Sequence, residues 1–106
     1  MPSAKKPASG KRTSFPRSAD YAKSFVKDWQ RLSDSGSYDM VRLKQVMLLL
    51  IANDEPLPAE WLDHALKGEW ADHRECHIGG DFLLIYRLEK DAIVFVRAGT
   101  HASLFE

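Results

Sequence analysis

The sequence contains one cysteine, Cys76, and no long run of apolar residues. A single cysteine excludes a disulfide within the chain, so a reducing compartment is expected. The longest apolar run, residues 46–52, is far shorter than the ~20 residues that a membrane-spanning helix requires. The polar N-terminus also lacks the apolar stretch that is typical of a signal peptide. These absences predict a cytoplasmic protein with no membrane span.

Acidic residues are absent from the N-terminal end. The chain has 15 basic and 15 acidic residues, but residues 1–17 hold five of the basic ones and no acid, so the remainder carries a net charge of −5. The composition of residues 1–11 predicts a disordered basic arm, followed by a single domain over residues 12–106. The arm can be interpreted as a solvated tail or as an electrostatic contact to RNA, and the sequence leaves both open.

Helical periodicity marks the first half of this domain. Ser18 is expected to cap a first helix, and a second helix is predicted over residues 37–53. The apolar positions of the first helix are Tyr21, Phe25, Trp29 and Leu32, and its other face holds Lys23, Lys27, Asp28 and Arg31. A polar turn around Gly36 joins the two, so a helical hairpin is expected. Residues 12–15 are a candidate short edge strand that ends at Pro16.

The second half of the chain is predicted to form strands. They are expected over residues 70–78, 81–88 and 92–98. Gly79 and Gly80 are expected to form a hairpin turn, and Gly99 to end the last strand. Alternation in the middle strand places Leu83 and Ile85 on one face of the sheet. Two helices followed by an antiparallel meander define the α+β class.

Histidines are confined to the second half of the chain. The four are His64, His73, His77 and His101. Histidine transfers protons near neutral pH, and the planar guanidinium of a nearby Arg74 or Arg97 suits phosphate. These residue types suit cleavage of RNA by its own 2′-hydroxyl, which needs a base, an acid and a cation but no metal, and leaves a 2′,3′-cyclic phosphate. From spacing alone, scattered surface histidines remain an open alternative.

Two other chemistries compete for the same residues. A zinc site could use His64, His73, Cys76 and His77. Strand alternation, however, directs His73 and Cys76 to opposite faces, and no paired C-x-x-C is present. A nucleophilic Cys76 paired with a histidine is the second alternative, although a small core residue fits a cysteine in the middle of a strand better. We therefore expect no metal and no cofactor.

Four motifs together resemble toxins of the YafQ type in the RelE superfamily. They are DHALKGEW at 63–70, RECH at 74–77, DFLLIY at 81–86 and RAGTHASLF at 97–105, preceded by Leu-Pro at 57–58. The resemblance covers residues 57–105, nearly half the chain, with matching spacing between the motifs. Phe82 departs from the pattern, because the family often has tryptophan there. Ring stacking is retained but the indole N–H is lost.

The resemblance implies a type II toxin with a RelE-like, microbial RNase-type fold, in which an N-terminal helical hairpin packs on a twisted antiparallel sheet. It implies cleavage of messenger RNA in the ribosomal A site, inhibition by a cognate antitoxin, and a possible heterotetramer with that antitoxin. The catalytic residues carried over are His64, His77, Asp81, Arg97 and His101. The substrate-binding residues are Arg74, Phe82 and Phe105.

Roles for these residues follow from the chemistry. Arg97 is expected to hold the scissile phosphate, and His101 to protonate the leaving 5′-oxygen. Asp81 or His77 is expected to accept the 2′-hydroxyl proton, and the sequence does not decide between them. His64 would assist in phosphate binding or proton handling. The alternative function is a non-catalytic RelE-fold module that engages an antitoxin without cutting RNA.

Overall fold

A computed structural model of the chain describes residues 17–52 and 54–106. The helices are α1 (Lys23–Ser35), α2 (Met40–Ala52) and α3 (His101–Phe105). The strands are β1 (Ser18–Tyr21), β2 (His64–Ala65), β3 (Arg74–Gly79), β4 (Phe82–Leu88) and β5 (Ala92–Thr100). They form one sheet in the order β1-β5-β4-β3-β2. The expected arm and the expected strand at 12–15 lie outside the described residues.

The helical hairpin and the antiparallel meander confirm the predicted α+β class. Strands β3, β4 and β5 follow one another and pair antiparallel. Gly79 ends β3, and Gly80 takes a positive φ of 53° in the turn before β4. Glycine adopts this backbone conformation without strain, which is why the Gly-Gly pair marked the turn correctly.

One edge of the sheet differs from the prediction, because Ser18 begins strand β1 and does not cap a helix. β1 pairs parallel with the first half of β5, so the sheet is mixed, and α1 begins after Ala22. Tyr21 and Phe25 are four positions apart, which is the spacing of residues on one face of a helix. Their rings do lie 5.9 Å apart, but Tyr21 reaches Phe25 from the strand that precedes the helix.

Two strand ends also differ from the prediction. β3 begins at Arg74 rather than residue 70, because Gly68–Trp70 form a 3₁₀ turn and Asp72 takes a positive φ of 75°. β5 does not stop at Gly99 but continues to Thr100, because Gly99 is still paired with β4. The extra length of β5 brings its end next to α3, where the functional candidates lie.

The sheet separates two apolar clusters. On one face the helical hairpin packs against β-strand residues such as Leu84 and Tyr86, which are fully buried. On the other face Leu83 and Ile85 are buried beneath Leu104 of α3. The alternation expected for β4 is therefore confirmed. We call the second face, with Leu83 and Ile85 as its floor, the histidine face, because the histidines discussed below lie around it.

Candidate functional site

Two histidines on the histidine face share one buried carboxylate. β2 pairs with β3 so that His64 lies opposite Glu75, and Nε2 of His64 is 3.2 Å from Oε2 of Glu75. Nε2 of His77, two residues further along β3, is 3.5 Å from the same oxygen. The imidazole centroids are 6.0 Å apart. The site therefore begins with a His–Glu–His cluster across two neighbouring strands.

Glu75 was not among the residues that the sequence analysis assigned to the site. It is only 5% exposed, which is rare for a glutamate unless it is paired. The alternation of β3 already placed it on the same face as His77, so the signal was present in the sequence. Nδ1 of His64 also faces the Leu62 carbonyl at 2.8 Å. Both ring nitrogens of His64 thus face oxygen atoms, which fixes the orientation of the imidazole ring.

Arg97 is held by a buried aspartate from α1. Its Nε donates to Oδ2 of Asp28 at 2.7 Å, and its Nη2 donates to Oδ1 at 3.2 Å. Asp28 is 4% exposed, so it does not lie on the outer face of the first helix as predicted. Burial by itself raises the pKa of Asp28. Hydrogen bonds from Arg97, the Ala98 N–H and Arg31 outweigh burial and lower that pKa below its ordinary value.

The backbone of β5 explains why an acid is buried at this point. β1 pairs only with the first part of β5. The next element in the chain, α1, lies beside the rest of that strand. Ser24 Oγ of α1 donates to the Val96 carbonyl at 2.7 Å, and Asp28 accepts the Ala98 N–H at 3.0 Å. Two side chains of α1 thus form hydrogen bonds with a backbone carbonyl and a backbone N–H of β5 at an edge where no neighbouring strand is present. Sequence periodicity alone carries no sign of this arrangement.

His101 is the first residue of α3, at the end of β5. Its backbone N–H donates to Oδ1 of Asp81 at 3.1 Å, and the helix is capped by Thr100, whose side chain accepts from the Ser103 N–H. The His101 ring lies 4.9 Å from the Phe105 ring. Asp81 therefore fixes the point from which the imidazole of His101 projects, and Phe105 supports that ring from one side.

Cross-strand register relates the two halves of the site. One row across β3, β4 and β5 is Glu75, Ile85 and Arg97, and the next is His77, Leu83 and Gly99. Neighbouring strands lie ~4.8 Å apart, so the backbones of the outer members of each row are separated by roughly 10 Å. The histidine pair therefore faces Arg97 and His101 across the apolar floor.

The structure places Arg74 and Phe82 on the opposite side of the sheet from the histidines. Arg74 donates to Asp63 at 2.9 and 3.2 Å, and the Tyr86 hydroxyl donates to the same carboxylate on the hairpin side of the sheet. Phe82 is 6% exposed and packs against Tyr38, with centroids 5.0 Å apart. The strand period directs both residues away from the histidines. Neither residue faces the histidines, and a role for them in substrate binding stays a prediction.

Phe105 does lie on the histidine face. Its ring contacts His101 and also meets Trp70 edge-on, with centroids 5.9 Å apart. Trp70 in turn meets His73 edge-on at 5.3 Å. The structure thus keeps Phe105 as a candidate for stacking on a base, and it places His73 outside the His–Glu–His cluster.

The donors available to a metal differ from those that the sequence suggested. Ligand atoms of His64, Glu75 and His77 lie within 4.8 Å of one another, and two imidazoles with one carboxylate form a set that zinc and copper accept. Cys76 is fully buried in the hairpin-side core, and burial raises the pKa of its thiol. Cys76 therefore serves neither as a ligand of this cluster nor as a nucleophile.

Comparisons with known proteins agree with this fold. A family model described as the bacterial toxin of type II toxin-antitoxin systems, YafQ, matches residues 17–106. The curated "mRNA interferase toxin YafQ" of Escherichia coli K12 is 43% identical over 89 residues, which are 84% of this chain and 96% of that protein.

Two solved structures are similar over nearly their whole length. The DinJ–YafQ complex of E. coli aligns with a TM-score of 0.76 and 42% identity, covering 85% of this chain and 99% of that one. A copper-bound L66S mutant toxin from Helicobacter pylori aligns with a TM-score of 0.78 and 40% identity, covering 84% and 99%. The fold and these matches define a toxin of the type II toxin–antitoxin class. Within that class, the chain belongs to the YafQ toxin family.

Among the helices of residues 17–52 and 54–106, none is both long and apolar enough to cross a membrane.

Proposed function

We propose that this chain is a ribosome-dependent endoribonuclease that cuts messenger RNA. The observation that carries the proposal is the arrangement on the histidine face, where His64 and His77 stand across an apolar floor from Arg97 and His101. Its E. coli relative is named an mRNA interferase. The proposed reaction is attack of the 2′-hydroxyl on the adjacent phosphate, which yields a 2′,3′-cyclic phosphate.

The geometry suggests how the two proton transfers are divided. In a displacement at phosphorus the attacking and leaving oxygens lie roughly in line, so the base and the acid approach from opposite sides. His77 pairs with Leu83 on the side of the floor away from His101. We therefore assign the base to His77 and the acid to His101. Asp81 becomes the residue that positions His101, since it accepts the His101 N–H.

Arg97 supplies the positive charge for the phosphate. Arg97 donates to Asp28 from Nε and Nη2, which fixes the guanidinium while its other N–H groups stay available. A preorganised cation stabilises the charge that develops on the phosphorane without reorganising during the reaction. His64, held by Glu75 on the other side, would contact a neighbouring oxygen of the same phosphate.

Dependence on the ribosome follows from charge. Residues 18–106 carry a net charge of −5, which opposes binding of free RNA. The ribosome would supply the positioning that this small site lacks. The test compares cleavage of naked messenger with cleavage on programmed ribosomes. Efficient cutting only on ribosomes is expected, and equal cutting of both would contradict the dependence.

We propose that a cognate antitoxin silences the protein, in a complex that could be a heterotetramer, and that both act in the cytoplasm. The E. coli relative was solved in complex with DinJ, which supports an antitoxin partner. Expression of the chain alone should arrest bacterial growth, and coexpression of the protein from the neighbouring reading frame should relieve the arrest. Unimpaired growth, with soluble protein present, would favour the non-catalytic module instead.

A further inference from the structure

α1 brings a second arginine to the histidine face. Nη2 of Arg31 lies 3.0 Å from Oδ1 of Asp28, the same oxygen that accepts from Arg97. Arg31 is half exposed, and its Nη2 would lie 3.7 Å from a methyl group built on Gly99. That methyl would also meet Leu104, which covers the floor of the histidine face. The tip of Arg31 therefore reaches the rim of this face, beside the end of β5.

The two guanidinium groups together carry more positive charge than the negative charge of the Asp28 carboxylate between them. Asp28 contributes one negative charge, whereas Arg31 and Arg97 contribute two positive ones, so the group keeps a net positive charge within an acidic body. Each guanidinium has five N–H donors, and Asp28 accepts two bonds from Arg97 and one from Arg31. Donors on both side chains therefore remain for an anion. A phosphodiester is the anion that fits planar, forked donors.

We propose that Arg31 binds the RNA phosphate next to the one held by Arg97, and that Asp28 positions both arginines. This inference rests on the proposed function and adds α1 to the substrate-binding surface. Arg31 is the binding residue and makes no contact with the reacting atoms. Its loss should weaken substrate binding and leave the chemical step intact.

Arg87 offers a matched control for the loss of one positive charge. Arg87 lies on β4, is partly exposed, and pairs with Glu89 at 2.8 Å rather than with Asp28. Arg31→Gln and Arg87→Gln therefore remove the same charge from different places. A purely structural ion pair within a helix would give both variants the same ribosome affinity, because surface pairs of this kind contribute little.

The experiment measures single-turnover cleavage against the concentration of programmed ribosomes. Arg31→Gln should raise the half-saturating concentration about 10-fold, the effect of one charged hydrogen bond, with an unchanged maximal rate. The slope of log affinity against log salt should fall by roughly one. Arg87→Gln should match the parent protein in all three quantities. Equal behaviour of the two variants, or a lower maximal rate for Arg31→Gln, would overturn the inference.

A second measurement separates this inference from the proposed function. Binding is measured on ribosomes programmed with a messenger whose cleavage site carries 2′-deoxyribose, which cannot react by this route. If the parent protein binds ribosomes but never cuts ribonucleotide messenger, the proposed nuclease function is wrong. In that case, weaker binding by Arg31→Gln, and not by Arg87→Gln, would still support phosphate binding by Arg31. A parent protein that neither binds nor cuts would contradict both.

Discussion

Asp28 and Arg97 are 69 positions apart in the sequence and are joined by hydrogen bonds of 2.7 and 3.2 Å. Asp28 also accepts the backbone N–H that follows Arg97, at 3.0 Å. One buried carboxylate thus ties α1 to the strand that carries the proposed phosphate-binding arginine. We therefore expect both the stability of the fold and the proposed phosphate binding to depend on the Asp28 side chain.

Asp28→Asn should reduce stability at neutral pH and weaken its acid dependence. The pKa of Asp28 is lower in the folded chain than in the unfolded one, so its stabilising contribution is present above the unfolded pKa and is lost as pH falls through the folded pKa. The expected loss at pH 7 is about 1–3 kcal/mol, because charged hydrogen bonds are removed. Urea unfolding from pH 7 to pH 3 measures both effects.

Asp34 provides the control for this substitution. It lies on the same helix but is exposed, with one hydrogen bond from Gln30. Asp34→Asn should unfold at nearly the same urea concentration as the parent protein at every pH. If Asp28→Asn and Asp34→Asn behave alike, the Asp28–Arg97 link does not stabilise the fold.

Gly99→Ala should disturb α3. A methyl group on Gly99 would lie 2.7 Å from Oγ of Ser103, which is itself bonded to the Thr100 carbonyl. The helix would have to move, and overpacking of this kind costs roughly 1–3 kcal/mol. Since α3 begins with His101, cleavage should fall as well. Gly79→Ala is the control, because nothing lies within 4 Å of its added methyl. Equal melting temperatures for the two variants would refute the prediction.

His101→Ala should lose on the order of 10²–10⁴-fold in single-turnover cleavage while still binding ribosomes, because protonation of the leaving oxygen is removed. A substrate with sulfur at the 5′-bridging position leaves as a thiolate without protonation. Sulfur should therefore restore cleavage by His101→Ala but not by His77→Ala. Rescue of His77→Ala instead would show that the acid and the base are reversed.

Cleavage should not require a transition metal, because the proposed base and acid are both histidines. Purified protein is assayed for metal by elemental analysis and for cleavage at constant magnesium, which the ribosome itself needs. Added zinc should bind the cluster of His64, Glu75 and His77, and occupation of His77 should slow cleavage. His73→Ala should leave zinc binding unchanged. Stoichiometric zinc in active protein, with loss of cleavage on its removal, would contradict metal independence.

Removal of residues 1–11 should leave the folded domain intact, since the sequence predicts a disordered arm. If the arm also contacts RNA, the truncated chain should bind ribosomes more weakly and with a smaller salt dependence. Circular dichroism and ribosome binding at several salt concentrations measure these effects. An unchanged salt slope would reduce the arm to a passive tail, and loss of folding would show that it belongs to the domain.

Local patterns predicted the parts of the fold that depend on local chemistry. The Gly-Gly turn and the alternation of Leu83 and Ile85 follow from backbone freedom and strand period, and both are confirmed. Strand β1 was not predicted because its pairing with β5 joins segments more than 70 residues apart. In addition, Tyr21 of β1 precedes Phe25 of α1 by four positions, which is the spacing of two residues on one face of a helix. The sequence pattern therefore did not distinguish the end of β1 from the start of α1.

In the candidate site, too, local sequence patterns predicted some residues, and others became evident only from the folded structure. Residue types and motif spacing led to His64, His77 and His101, which the structure places around one face. Asp28 was missed because only its contacts in three dimensions define its role, whereas Glu75 was overlooked although the alternation of β3 places it on the face of His77. Arg74 and Phe82 were included with their motifs, although strand alternation already pointed their side chains to the opposite face.

The hydrogen bonds from Ser24 and Asp28 to β5 also limit how another protein can reach the site. An exposed strand edge invites an extended segment of a partner to join the sheet. Here the edge nearest to Arg97 is already occupied by side chains of α1. A partner strand therefore cannot pair with β5 beside Arg97, so a protein that blocks Arg97 must contact it from the histidine face.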